Sequence, residues 1–76
     1  MKGFIEVYLK NDNTLLINID AIESIMALGN YDTVIYMKTI LSRHDNKNNE
    51  QELYQLNYEV CHSYEEVKAM IEEALK

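Results

Sequence analysis

The stretch "LYQLNYEVCHSYEEVKAMIEEALK" (residues 53–76) decides the fold, because its hydrophobic period changes partway along. In residues 53–60 apolar and polar side chains alternate, which is the period-two pattern of a half-buried β-strand. One face of that predicted strand carries Tyr54, Leu56, Tyr58 and Val60. From residue 64 onward the apolar side chains recur three or four positions apart, as along one side of an α-helix. The segment therefore predicts a strand followed directly by a helix.

The predicted helix begins with a capping box, "SYEE" (residues 63–66). The Ser63 hydroxyl is placed to accept a hydrogen bond from the backbone N–H of Glu66, while the Glu66 carboxylate reaches back to the serine N–H. Acidic residues in the first turn also complement the positive end of the helix dipole. The apolar stripe expected to pack on a sheet consists of Tyr64, Val67, Ile71, Ala74 and Leu75.

Two hairpins are predicted upstream of this segment. In the first, "FIEVYLK" (4–10) and "LLINI" (15–19) alternate around the turn-forming "NDNT" (11–14). The inward faces carry Ile5, Val7 and Leu9 on one strand and Leu15, Ile17 and Ile19 on the other. The outer face carries three large apolar side chains, Phe4, Tyr8 and Leu16, which are our candidates for a protein interface.

The second hairpin follows a short acidic element, residues 20–23, whose spacing predicts either one capped helical turn or a tight bend. "SIMAL" (24–28) and "TVIYMKTIL" (33–41) are predicted strands joined by the turn "GNYD" (29–32). The second strand is apolar on both faces, which favours a sheet covered on both sides. Residues 42–52, "SRHDNKNNEQE", contain no aliphatic residue, so we expect a polar, flexible loop there.

These elements predict an α+β fold, with a small antiparallel β-sheet of about five strands followed by one C-terminal α-helix. A chain of 76 residues corresponds to a single domain, residues 1–76, with a thin hydrophobic core. The single cysteine, Cys61, suits a reducing compartment. No apolar stretch has the length of a membrane span, and none resembles a signal peptide, so we expect a cytoplasmic protein.

Charge and composition argue against several classes of function. Thirteen acidic against seven basic residues give a net charge of −6, which opposes binding to nucleic acids and to anionic membranes. The residues available for catalysis or metal binding are Cys61, His62 and His44. The first two are adjacent at a strand end and should point to opposite faces, and a lone cysteine is most often a small buried hydrophobe. We therefore expect no enzymatic activity, no metal and no cofactor.

The chain resembles the small flagellar FlbD-like family, also called SwrD-like. The resemblance is carried by "LLINIDAIESI" (15–25), "DTVIYM" (32–37) and "YEVCHSYEEVKAMI" (58–71). It implies an accessory protein without catalytic residues, and it supplies no site residue. The positions that match the family pattern are Asn18, Asp20, Ile22, Glu23, Asp32, Thr33, Val34, Ile35, Ser63, Glu65, Glu66 and Val67.

A weaker resemblance links "INIDAIESI" (17–25), "GNYDTVIYM" (29–37) and "YEVCHSYEEV" (58–67) to the LytTR-type DNA-binding domain. This resemblance implies DNA contacts by basic loop residues. Here the basic candidates are Arg43, His44 and Lys47, and nearby acidic residues balance their charge. A degenerate nucleic-acid-binding domain is therefore the alternative hypothesis.

The leading hypothesis is a small, non-enzymatic protein-interaction module that associates with a protein partner or with itself as a homodimer through its sheet. Six tyrosines are more than a core of this size needs, and tyrosine is enriched at interfaces. We expect at least half of them to line the core, with their hydroxyls at its rim. A second alternative is a small-molecule sensor with a pocket under the helix near Met26, Met37 and Met70.

Overall fold

The structure of the protein is a computed structural model that describes residues 2–45, 47 and 50–76. Within these residues, five strands, one short 3-10 turn and one helix follow one another. They are β1 (Phe4–Tyr8), β2 (Thr14–Asn18), the 3-10 turn (Ile19–Ala21), β3 (Ile22–Leu28), β4 (Asp32–Asp45), β5 (Glu50–Val60) and α1 (Tyr64–Ala74). The α+β class and the C-terminal helix are confirmed.

The strands form two antiparallel sheets, not the single sheet predicted from the sequence. One sheet contains β1 and β2, and the other has the order β3-β4-β5. Strand β1 meets β5 only at one isolated pair, Leu9 with Val60, beside a backbone hydrogen bond of 2.8 Å from the Cys61 N–H to the Tyr8 carbonyl. Both strands end at this point, so the ladder cannot extend and the sheets remain separate.

The first hairpin has the predicted alternation. Ile5 pairs with Ile17 and Val7 with Leu15, and the side chains of Ile5, Val7 and Ile17 are buried. The turn between the strands places Asp12 in the left-handed region at φ 67°, which Asp tolerates better than most residues. The predicted turn is therefore confirmed at residues 11–13, whereas Thr14 already belongs to β2.

A capped turn is present as predicted, but it spans Ile19–Ala21 with Asn18 as its cap, and residues 22–23 of the predicted element belong to β3. The side-chain carbonyl of Asn18 accepts a hydrogen bond of 3.0 Å from the Asp20 N–H. A chain reversal at Gly29, with φ 78°, then joins β3 to β4. Only Gly adopts this conformation without a steric penalty from Cβ.

The hydrophobic core lies between the two sheets and the helix. Its buried members are Ile5, Val7, Ile17, Ile35, Met37, Val60, Val67 and Ala74. The outer face of the three-stranded sheet is only partly covered, since Met26 and Leu28 are 47% and 40% exposed. The expectation of a sheet covered on both faces therefore holds for Val34, which is buried on that side, but not for its neighbours on β3.

The capping box of α1 is present with both of its hydrogen bonds. Ser63 Oγ accepts from the Glu66 N–H at 3.2 Å, and the Ser63 N–H donates to Glu66 Oε1 at 3.4 Å. Two residues of the predicted apolar stripe, Val67 and Ala74, are buried. Its last residue, Leu75, is 65% exposed. The apolar period therefore predicts the buried side of the helix but not how far its contact with the sheet extends.

Strands β4 and β5 extend well past the rest of the sheet. Strand β3 pairs with β4 only as far as Met37, and a register shift lies between the β4–β5 pairs Tyr36 with Asn57 and Ile40 with Gln55. The side-chain amide of Gln55 donates to the Met37 carbonyl at 2.9 Å within this irregularity. Beyond it, residues 40–45 of β4 pair only with residues 50–55 of β5. We call these twelve paired residues the arm.

The arm corrects the prediction of a loop over residues 42–52. Ser42 pairs with Leu53, Arg43 with Glu52 and His44 with Gln51, so most of the polar segment is strand. Backbone pairing stabilises these residues without burial, which is why a composition argument missed them. Residues 46, 48 and 49 lie outside the described residues. The molecule measures 46 × 24 × 20 Å along its principal axes.

Candidate interaction surfaces

The outer face of the first hairpin presents the three residues predicted as an interface. Phe4, Tyr8 and Leu16 are 38%, 58% and 50% exposed. Leu16 lies directly opposite Glu6, the residue between Phe4 and Tyr8 on the same face. We call this set of four residues the hairpin face. The structure thus brings the predicted residues together in solvent, while their role in binding stays a prediction.

A shallow cleft of about 200 Å³ adjoins the hairpin face. Strand β1 and helix α1 form its walls, and a hydrogen bond of 2.9 Å from the Gly3 N–H to the Ala74 carbonyl fixes their spacing. Its floor is apolar and it carries two carboxylates, Glu6 and Glu73. The lining residues are Phe4, Ile5, Glu6, Met70, Glu73 and Ala74. The cleft therefore suits an apolar side chain with a positive charge near its end.

The predicted methionine pocket does not form in the described part of the chain. Met37 belongs to the buried core and Met26 is 47% exposed on β3. Only Met70 lines the cleft beside the helix. The structure therefore supplies no converging site for the small-molecule sensor hypothesis at these residues.

His62 is the buried residue that joins the first hairpin, the second sheet and the helix. Its Nε2 accepts a hydrogen bond of 3.0 Å from the Tyr8 N–H, and its ring stacks on the Tyr8 ring with centroids 5.7 Å apart. Its backbone carbonyl accepts a hydrogen bond of 2.8 Å from the buried Thr33 hydroxyl. Its Nδ1 lies 3.5 Å from Glu66 Oε2. Both ring nitrogens thus face protein partners, which makes this imidazole a structural element.

Cys61 points away from His62, as the alternation predicted, but the prediction that it is a buried hydrophobe is wrong. The thiol is exposed, because Cys61 follows the last residue of β5 and turns to the opposite side from the buried imidazole. The two side chains do not form a thiolate–imidazole pair. Within residues 2–45, 47 and 50–76, no group of three His, Cys, Asp or Glu side chains is arranged to hold a metal ion.

Two surface carboxylates shape the local electrostatics near these elements. The Ser63 N–H and, next, the His62 ring hold the pKa of Glu66 below its usual value. Asp32 forms an ion pair with Lys10, and its hydrogen bond raises the pKa of that ammonium group. The first interaction ties the start of α1 to the end of β5, and the second ties the end of β1 to the start of β4.

Of the three basic residues named for DNA contact, Arg43 and His44 lie at the outer end of the arm, and Lys47 lies in the segment that joins its two strands. The Arg43 guanidinium carbon is 5.5 Å from the centroid of the Tyr54 ring, and Arg43 pairs across the ladder with Glu52. His44 is exposed opposite Gln51. An arginine stacked on an aromatic ring beside a carboxylate has its charge partly satisfied within the chain.

Sequence reasoning missed the apolar surface of the arm. Ile40 and Leu53 are 57% and 67% exposed and lie on one side of the ladder, while Tyr54 is 41% exposed on the other. The alternation of residues 53–60 contained this signal, because its strand pattern starts next to the segment interpreted as a loop.

The expectation that at least half of the six tyrosines line the core is wrong. Four of them are exposed, namely Tyr8, Tyr31, Tyr54 and Tyr64, so fewer than half line the core.

The described residues contain no helix that combines the length and apolar character of a membrane span. A scan against models of protein families, a search of curated proteins and a search of solved structures each returned no match.

Proposed function

We propose that the protein is a non-enzymatic interaction module that binds a protein partner through the hairpin face. The observation that carries this proposal is the joint exposure of Phe4, Tyr8 and Leu16 on one side of a hairpin whose other side is buried in the core. Large aromatic and aliphatic side chains presented together on a strand surface are the usual anchors of protein interfaces.

The hairpin face is held in place by hydrogen bonds at both ends of β1. The Ile19 N–H donates to the Gly3 carbonyl at 3.0 Å, and the Gly3 N–H donates to the last turn of α1. At the other end, the Tyr8 N–H donates to His62. A surface fixed in this way loses little conformational freedom on binding, so more of the contact energy appears as affinity.

The charge around the hairpin face favours a partner that is apolar and basic. Glu6 lies within the face, and Glu73 stands across the adjacent cleft. The net charge of −6 attracts such a partner at long range, and it opposes nucleic acid for the same reason. Binding should therefore weaken as salt is added, while its apolar part remains.

The resemblance to the FlbD-like family supports an accessory role of this kind in the cytoplasm. Members of that family are small proteins without catalytic residues, and we infer the same of this chain. The proposal does not depend on the flagellar role itself, since it rests on the exposed face of β1 and β2.

The test uses immobilised wild-type protein and two lysine variants as baits in extract from the source cells. Leu16→Lys disrupts the hairpin face, whereas Leu75→Lys changes a leucine of comparable exposure at the end of α1. A partner retained by the wild type and by Leu75→Lys but lost with Leu16→Lys supports the proposal. Equal recovery of every bound protein by both variants would contradict it, as would recovery of nucleic acid alone.

A further inference from the structure

The chain exposes more surface than its mass requires. Its accessible surface is 5611 Å², whereas a folded monomer of 8.9 kDa typically exposes about 4,800 Å². Its radius of gyration is 14.3 Å, against about 11.4 Å for a globular chain of this length. The excess of about 800 Å² equals the area that one partner contributes to an interface of standard size.

The arm contributes to this excess, because its large apolar side chains are exposed. No third strand pairs with residues 40–45 or 50–55 among the described residues, and both sides of the ladder carry exposed apolar side chains. Ile40 and Leu53 share one side, and Tyr54 occupies the other. An isolated two-stranded hairpin is marginally stable in water at best. The arm therefore gains stability if something covers it.

Strand β5 offers a free backbone edge along the arm. On its far side β5 pairs only at Leu9 with Val60, and a cleft of about 250 Å³ separates the turn of the first hairpin from Asn57, Tyr58 and Glu59, so no described strand pairs with that edge from Glu50 to Glu59. The strand contains no proline or lysine, the residues that most effectively block further pairing, and its charged residues are three glutamates. Such an edge is able to accept another antiparallel strand.

We propose that a second copy of this chain occupies this edge, with the β5 strands of two molecules paired antiparallel about a two-fold axis. One contact of this kind pairs the free backbone edges of both copies at once, because a two-fold interface is formed by the same surface of each molecule. A pairing centred on Gln55 would place Tyr54 opposite Leu56, and Glu52 opposite Tyr58. No two carboxylates of β5 face each other directly in that register.

Area and charge favour a second copy over a different protein at this surface. The excess surface of two chains together matches the area of a standard dimer interface, about 1,600 Å² in total. Residues 40–55 carry two basic and three acidic side chains, a net charge of −1, while the whole chain carries −6. Two arms therefore approach with little repulsion, and most of the negative charge lies outside the contact. The dimer uses residues other than the hairpin face, so it goes beyond the proposed function.

Sedimentation velocity of the wild type and three variants tests the dimer from micromolar to several hundred micromolar protein. Leu53→Glu places a carboxylate on one side of the strand whose edge is free, and Leu75→Glu is its control, since the two leucines are 67% and 65% exposed. We expect the wild type and Leu75→Glu to dimerise, and Leu53→Glu to raise the dissociation constant at least about tenfold. Leu16→Lys should dimerise like the wild type.

Hydrogen exchange of the wild type locates the contact without a substitution. The amides of residues 50–59 should exchange more slowly at high than at low protein concentration, while those of β1 and β2 should not change. A wild type that stays monomeric at several hundred micromolar would overturn the inference. A dimer that Leu16→Lys dissociates and Leu53→Glu does not would also overturn it, yet would leave the hairpin face as a binding surface.

Discussion

Replacing His62 by Phe should destabilise the protein through one hydrogen bond. The change keeps an aromatic ring of similar size, so the stacking on Tyr8 is preserved. It removes the Nε2 acceptor that the Tyr8 N–H reaches at 3.0 Å. The ladder pairs Tyr8 only with Thr14 at the end of β1, so no other acceptor is available on its His62 side. The Tyr8 donor is then left facing carbon atoms.

The magnitude follows from the burial of that donor. Leaving a buried N–H unsatisfied costs about 1–3 kcal/mol, and this hydrogen bond is only partly buried, so we expect the lower half of that range. The contact between His62 Nδ1 and Glu66, at 3.5 Å, adds little because the carboxylate is exposed. For a domain of this size, 1 kcal/mol lowers the melting temperature by roughly 4–8 °C.

Urea denaturation followed by circular dichroism measures the effect. His62→Phe should lower the midpoint and leave the slope unchanged, because the unfolded state exposes the same surface. His62→Gln is the matched variant, since its side-chain carbonyl offers an acceptor and should recover part of the loss. The reasoning is refuted if His62→Phe unfolds at the wild-type midpoint, or if His62→Gln is the less stable of the two variants.

Three further substitutions test other local features. Ser63→Ala removes the cap of α1 and should cost about 1 kcal/mol in thermal melts, with an unchanged melt arguing against the capping box. Gly29→Ala forces a side chain to φ 78° and should cost roughly 1 kcal/mol by urea titration, and no loss would contradict that backbone conformation. Since the pKa of Glu66 is lowered on folding, its carboxylate stabilises the fold above the ordinary carboxyl pKa, and that contribution disappears as the pH falls through the folded value. The difference in urea midpoint between the wild type and Glu66→Gln should thus be larger at pH 7 than at pH 3. An equal difference at both pH values would contradict this role of the Glu66 carboxylate.

The parts of the fold that depend on near neighbours were predictable from the sequence. The alternation of residues 4–10 and 15–19 identified the inward side chains, because the pleat fixes a period of two. The cap at Ser63 was predictable because both of its hydrogen bonds lie within four residues. Pairing between distant segments was not predictable: the separation into two sheets depends on where Leu9 meets Val60.

The candidate surfaces also divide into a part that was predictable from near neighbours and a part that was not. Phe4, Tyr8 and Leu16 were identified because the hairpin alternation assigns an outer face directly. The arm was missed because its strands are held by backbone pairing between mostly polar residues, which leaves no apolar period in residues 42–52. The role of His62 has no sequence signal at all, since its partner Tyr8 lies 54 positions away.

The hydrogen bonds that fasten β1 have a consequence for synthesis of the chain. Gly3 is bonded to Ala74, and Tyr8 to His62, so β1 is secured by residues that are synthesised well after it. Until then the apolar inner side of the first hairpin has no helix to cover it. A chain cut short before α1 would therefore expose the apolar side of the first hairpin to solvent, and we expect such fragments to aggregate or to be degraded.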